Sequence, residues 1–284
     1  MTDLRGKTVV VTGASDGVGK ETAARLAEAG ATMILVCRNP TKGRAVAERM
    51  RREADNEAIS VLQADLSSFE EVRRVAGGIR ERCDRLDVLV NNAGAIFMQR
   101  RESIDGIEMT WALNHLSYFL FTHELLDLLK ASAPARIVNV ASAAHHRGTI
   151  NFDNLEGHSS YSGRNAYAQS KLANILFTSE LARRIAGSGI TANALHPGFV
   201  RTRFGSNNGL LIRLIIRAMM RTNGISIANG GKTSVYLATS PDVEGITGGY
   251  YDRCAPARSS PESLDESIAR RLWQVSAERI GIAA

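Results

Sequence analysis

Thr8-Val9-Val10-Val11-Thr12-Gly13-Ala14-Ser15-Asp16-Gly17-Val18-Gly19 is the stretch that decides the fold. Its first five residues are β-branched and mostly apolar, as expected of a strand covered on both faces, since successive side chains point to opposite sides. Glycines then take over, and an amphipathic stretch begins at Val18. Strand, glycine-rich turn and helix in that order let the backbone approach a pyrophosphate, which sits at the positive end of the helix. Gly13, Ser15, Asp16, Gly17, Val18 and Gly19 are therefore candidate cofactor contacts. The glycine spacing is G-x-x-x-G-x-G, and an ordinary strand-to-helix turn also fits these residues taken alone.

Working outward, short apolar runs alternate with longer amphipathic ones. Strands are predicted at Thr8–Thr12, Thr32–Cys37, Ile59–Gln63, Val88–Val90, Arg136–Val140, Thr191–Leu195 and Gly249–Asp252. Helices are predicted at Val18–Ala29, Thr41–Ala54, Phe69–Cys83, Ile107–Ala131, Ala166–Ala186, Ile227–Thr239 and Leu264–Ile280. The alternation predicts an α/β, doubly wound Rossmann fold with about seven parallel strands and helices on both faces. No repeat or linker divides the chain, so residues 1–284 are read as one domain, with 203–226 as an insertion that breaks the rhythm.

Composition excludes several classes. With 44% hydrophobic and 23% charged residues, the chain has enough apolar material for a buried core and is not a disordered one. The net charge of +6 favours anionic ligands in general. No basic block is interleaved with aromatics, so nucleic acid is not expected as a partner. Cys37, Cys83 and Cys254 are widely spaced, which predicts free thiols in a reducing compartment and no metal site. The polar Met1–Gly6 and the lack of a long apolar run lead to a cytoplasmic expectation.

The ends of the later strands carry the next signals. The second ends Val36-Cys37-Arg38-Asn39, with Lys42 close behind and no acid to receive a ribose diol. Arg38 can instead grip a 2′-phosphate and stack on adenine, which points to NADP(H). Asp65, followed by Leu66, ends the third strand, where its carboxylate can accept the adenine amino group. Asn91-Asn92-Ala93-Gly94 ends the fourth, and the small residues Asn92, Ala93 and Gly94 allow close passage beside a ribose.

Tyr167 and Lys171 lie one turn apart on a predicted helix and share a face. A neighbouring ammonium is expected to lower the tyrosine pKa, fitting it to exchange a proton with a carbonyl or alcohol oxygen. Lys171 can also reach the ribose hydroxyls. Ser142 follows the fifth strand without a G-x-S-x-G elbow, so a polarising role is expected rather than a nucleophilic one. Asn114, in a mostly apolar helix, can hold a water that links Lys171 to solvent, or can simply be a core amide. His145 and His146 are expected to line the substrate entrance.

Together these pieces resemble the short-chain dehydrogenase/reductase family over roughly residues 5–252. Five motifs in order carry the resemblance: the glycine turn, Asn91-Asn92-Ala93-Gly94, Ser142, Tyr167-x-x-x-Lys171 and Pro197-Gly198. It implies that Asn114, Ser142, Tyr167 and Lys171 form a catalytic tetrad. It also implies that Pro197, Gly198, Val200 and Thr202 contact the nicotinamide, and that the chain forms a dimer or tetramer. Cys37-Arg38-Asn39, Leu113-Asn114-His115-Leu116, Ala144-His145-His146 and the long gap from Ser142 to Tyr167 are similar to retinol dehydrogenases and light-dependent protochlorophyllide reductases. The expected activity is hydride exchange between NADP(H) and a small apolar carbonyl or alcohol. A C=C reductase of the pigment type and a non-catalytic NADP sensor are the alternatives. Within Leu210–Arg221, Arg213, Arg217 and Arg221 form a basic stripe among apolar residues, with Met219 and Met220 suited to varied ligand shapes. That segment reads as a substrate lid, with a core-packed helix or an amphipathic membrane contact as the other readings.

Overall fold

The computed structural model describes residues 2–200, 205, 207–209 and 224–283. The strands are β1 (Thr8–Thr12), β2 (Thr32–Cys37), β3 (Ile59–Gln63), β4 (Val88–Asn91), β5 (Ala135–Val140), β6 (Ile190–His196), β7 (Tyr250–Asp252) and β8 (Ala255–Pro256). They form one sheet in the order β3-β2-β1-β4-β5-β6-β7-β8. The first seven are parallel, as expected. A short antiparallel β8 is added at the edge, where Pro256 leaves no central ladder bond unmade.

The β1 run is buried throughout, and its alternation sorts the two layers. Val9 and Val11 pack with Met33, Leu35, Leu26 and Leu237 on one face. Val10 packs with Ile34, Leu89, Phe119 and Leu176 on the other. The first face is covered by α1 (Gly17–Glu28), α2 (Pro40–Ala54) and α7 (Ile227–Thr239). The second is covered by α3 (Phe69–Arg80), α5 (Ser117–Ala131), α6 (Gly163–Arg184) and α8 (Glu266–Ile280). Strand order reverses between β1 and β4, and in open parallel sheets such a switch opens a crevice at the carboxyl ends of the strands.

The predicted helix over 107–131 is not continuous. Its chain enters as α4 (Met109–Trp111), passes through a π turn (Ala112–Leu116) and resumes as α5. Glu108 sets the start, because its buried carboxylate accepts the N–H groups of Thr110 at 2.9 Å and Trp111 at 2.8 Å. At the other end of the chain, Asp265 caps α8 after a 3₁₀ turn at Pro261–Leu264, so that helix starts later than the periodicity suggests. No helix among the described residues is long and apolar enough to cross a membrane. The segment 210–221, with Arg213, Arg217, Arg221, Met219 and Met220, lies outside the described residues, as does Thr202.

Candidate active site

A cleft of about 910 Å³ runs across the carboxyl ends of the strands at the β1/β4 switch. At its centre the β1 and β4 ends are knitted together. Thr12 Oγ1 accepts the N–H groups of Asn92 at 2.8 Å and Ala93 at 3.0 Å, and Asn92 Nδ2 donates to the Thr12 carbonyl at 2.8 Å. The closeness of these loops explains the glycines. Gly13 has φ +66°, and a Cβ there would stand 2.9 Å from the Ala93 Cα; one on Gly19 would strike the Asn92 amide. What remains is a bare backbone cradle at the α1 N-terminus, whose first turn carries no acidic side chain. That geometry fits a dinucleotide pyrophosphate. Ser15, Asp16, Gly17 and Val18 line the same wall. Asp16 caps α1 by accepting the Gly17 N–H at 2.8 Å, and Ser15 hydrogen-bonds to the Cys37 thiol at the end of β2.

Arg38, Asn39, Asp65 and Leu66 line the adenine end, with Lys42 beside them. Asn39 holds the start of α2 by accepting the Lys42 N–H at 2.9 Å. Asp65 Oδ1 accepts from the Ser67 N–H and hydroxyl at 3.1 and 2.7 Å, which fixes the carboxylate at the strand end. Arg38 is exposed on the rim and has no ion-pair partner among the described residues. Its guanidinium is thus open to an anion at this end of the cleft.

The chemical groups stand at the β5 and α6 side. Tyr167 and Lys171 face the cleft one turn apart on α6, with Lys171 Nζ 5.8 Å from the centroid of the Tyr167 ring. Ser142 follows β5, accepts the Ala144 N–H at 3.2 Å, and shares a hydrogen bond with the Tyr167 phenol. Part of the tyrosine faces the cleft, and burial of the rest pushes its pKa up to about 12, while the Ser142 contact pulls the other way. Burial lowers the Lys171 pKa to about 7. The expected depression of the tyrosine is therefore not what the site provides. Desolvation of the phenol outweighs the Ser142 hydrogen bond. Gly94, Pro197, Gly198 and Val200 complete this end of the cleft.

Asn114, read from the sequence as either a water holder or a core amide, is buried in the π turn. Its Oδ1 accepts the Ala95 N–H at 2.9 Å, and its Nδ2 donates to the Ala95 carbonyl at 2.9 Å and the Ser170 hydroxyl at 3.0 Å. The amide is thus engaged mainly with the chain itself and pins the loop after β4 beside Lys171. Neither of the histidines expected at the substrate entrance lines the cleft: His145 is buried, and His146 is exposed outside its wall. The His145 Nδ1–H donates to the Ser142 carbonyl at 2.7 Å, and its Nε2 accepts the Ser260 N–H at 3.1 Å. Burial lowers its pKa to about 4, which keeps the neutral tautomer that both bonds need.

Sequence reasoning also missed part of the wall. Phe97, Leu113 and Phe199 give the nicotinamide end an apolar side, and Arg147 stands on the same cleft. Asn207 and Asn208 donate to the Ile96 carbonyl at 2.9 and 2.8 Å, strapping the loop after β4 to the loop after β6. Single residues in loops carry no periodicity, so only their proximity reveals them.

The short chain dehydrogenase profile matches residues 7–209. Retinol dehydrogenase 14 of Homo sapiens is 42% identical over 98% of this chain and 88% of its own length. Retinol dehydrogenase 13 of Homo sapiens is 42% identical over 99% of this chain and 86% of its own. Among solved structures, an uncharacterised protein from Mycobacterium paratuberculosis superposes with a TM-score of 0.81 at 33% identity, covering 99% of this chain and 96% of that one. The RhlG/NADP active-site complex of Pseudomonas aeruginosa superposes with a TM-score of 0.71 at 28% identity, covering 92% and 98%. The order of the strands, the glycine cradle, the Tyr167–Lys171 pair and these likenesses lead to one conclusion: the chain belongs to the short-chain dehydrogenase/reductase family of oxidoreductases, in its retinol dehydrogenase-like branch.

Proposed function

We propose that the protein is an NADP(H)-dependent reductase of apolar aldehydes or ketones, running toward the alcohol. The observation that carries this reading is the placement of the Tyr167 phenol on the cleft wall, hydrogen-bonded to Ser142 and one turn from Lys171. A protonated phenol is a donor, and donation is what carbonyl reduction asks of it. The substrate oxygen sits against the Ser142 and Tyr167 hydroxyls, with its carbon toward the floor of the cleft. NADPH, when bound, supplies the hydride to that carbon. Tyr167 gives its proton to the oxygen, and the Lys171 ammonium stabilises the phenolate left behind and returns a proton to it. Asn114 and His145 act by positioning, the first through Ala95 and the second through Ser142.

Arg38 supports NADP over NAD, since a free guanidinium offers a 2′-phosphate a bidentate partner. The NADP bound to RhlG and to a short chain dehydrogenase of Burkholderia cenocepacia points the same way. Phe97, Leu113 and Phe199 support an apolar substrate, as do the retinol dehydrogenases among the relatives. The test is NADPH oxidation, in the dark, against decanal, retinaldehyde, an aromatic ketone and a quinone. Turnover of at least one apolar carbonyl is expected, with loss of about a thousandfold or more in Tyr167→Phe and unchanged NADPH affinity. Undiminished turnover in Tyr167→Phe would remove the phenol from the reaction.

A further inference from the structure

Lys171 is 3% exposed, and no carboxylate among the described residues pairs with it. From β5 the Val140 carbonyl accepts its Nζ–H at 2.9 Å. From the loop after β4 and the π turn come the Gly94 backbone and the Asn114 amide, both uncharged. The Tyr167 ring lies beside it on its own helix α6, and the Tyr118 ring stands against it from α5. Burial lowers its pKa, and no charged group among the described residues offsets the desolvation of the ammonium. An ammonium so placed gives up its proton unless something nearby favours the charge.

Beyond the Val140 carbonyl, the aromatic faces remain to do so. Nζ stands 5.6 Å from the Tyr118 centroid and 5.8 Å from that of Tyr167, both inside the range of about 6 Å over which a ring quadrupole attracts a cation. The two rings differ in what else they do. Tyr167 commits its phenol to Ser142 and the cleft. Tyr118 is 1% exposed, and its hydroxyl has no hydrogen-bond partner among the described residues. Nothing in the proton transfer uses that hydroxyl, and the residue lies in the first turn of α5, two positions after the π turn that holds Asn114.

The geometry points to Tyr118 as a positioning residue whose ring face holds the Lys171 side chain in place and favours its ammonium form. This rests on the reading that Lys171 supports Tyr167. Burial raises the Tyr118 pKa further, so the residue stays a neutral ring across the working range.

The test follows the Lys171 Cε resonance of the full chain, with isotope-labelled lysine and Lys171→Met to assign it, through a pH titration. A midpoint below the usual lysine value is expected for the native protein. Tyr118→Phe keeps the ring, and its midpoint stays within a few tenths of a unit. Tyr118→Leu lowers it by about half to one unit, and so does replacement of Tyr118 by a ring-fluorinated phenylalanine, which cancels the negative face. The fluorinated ring preserves the shape of the core, so the comparison survives if the leucine variant does not fold. With decanal and NADPH, the alkaline limb of kcat should move down by the same amount while KM for decanal holds. A midpoint unmoved by fluorination overturns the inference, as does a fall in Tyr118→Phe equal to that in Tyr118→Leu, which would assign the effect to the hydroxyl. Loss of the role of Lys171 in turnover would show separately, as an alkaline limb retained in Lys171→Met, with the titration still reporting the ring contact.

Discussion

Arg38 stands at the end of β2 with its guanidinium uncommitted, and a single residue there can set cofactor choice. Reversing its charge puts a carboxylate where a 2′-phosphate would lie and offers a ribose diol an acceptor instead. Arg38→Glu is expected to weaken NADPH binding by tenfold or more and to strengthen NADH binding, read by fluorescence titration of each. Equal affinities in the native protein would remove Arg38 from the argument. This residue was legible in the sequence because a strand end has a fixed place in the fold. The tyrosine pKa was not legible: spacing puts Tyr167 and Lys171 on one face, but burial decides which form each prefers.

Ser142 caps a 3₁₀ turn (Ala143–Arg147) that His145 holds from two sides. Its ring joins the Ser142 carbonyl to Ser260, in the segment that leads into α8. His145→Leu leaves both partners without a ring nitrogen. We expect kcat to fall about tenfold through misplacement of Ser142, with the NADPH dissociation constant within twofold of native, because the glycine cradle is untouched. A proportionate loss of cofactor binding would mean that the whole cleft had collapsed. The π turn is a second such element. Asn114→Ala strands the Ala95 N–H and carbonyl and is expected to cost about 1–3 kcal/mol, visible as a lower thermal midpoint. The helical period over 107–131 announced a helix, but the extra residue of the π turn was hidden in it. The hydrophobic stripe tolerates one added residue, and the register is set by what packs against it.

Across the whole molecule, buried histidines tie stability to pH. His145 lies buried in the turn after β5 against the Tyr250 ring, and His115 lies in the core with its Nε2 2.9 Å from Ser276 Oγ on α8. Burial lowers their pKa values from 6.5 to about 4 and about 3. The unfolded chain therefore binds more protons than the folded one once the pH drops below about 6.5. Their contribution is intact above that pH and is lost as the pH falls toward the folded values, at about 3 kcal/mol for His145. The thermal midpoint should fall between pH 6.5 and 4, and His115→Gln should flatten that fall; an equal slope in the variant would clear His115. The sequence alone determined the parallel sheet, the end of it that bears the cleft, and the strand-end residues around that cleft, because alternation and glycine turns are local and their order along the chain is topology. Tertiary structure decided the rest: that Asn114 pins a loop, that His145 links Ser142 to Ser260, and that the Tyr118 ring stands over Lys171. Each depends on side chains far apart in sequence being buried against one another, and desolvation, which sets their protonation, is a property of the packed chain.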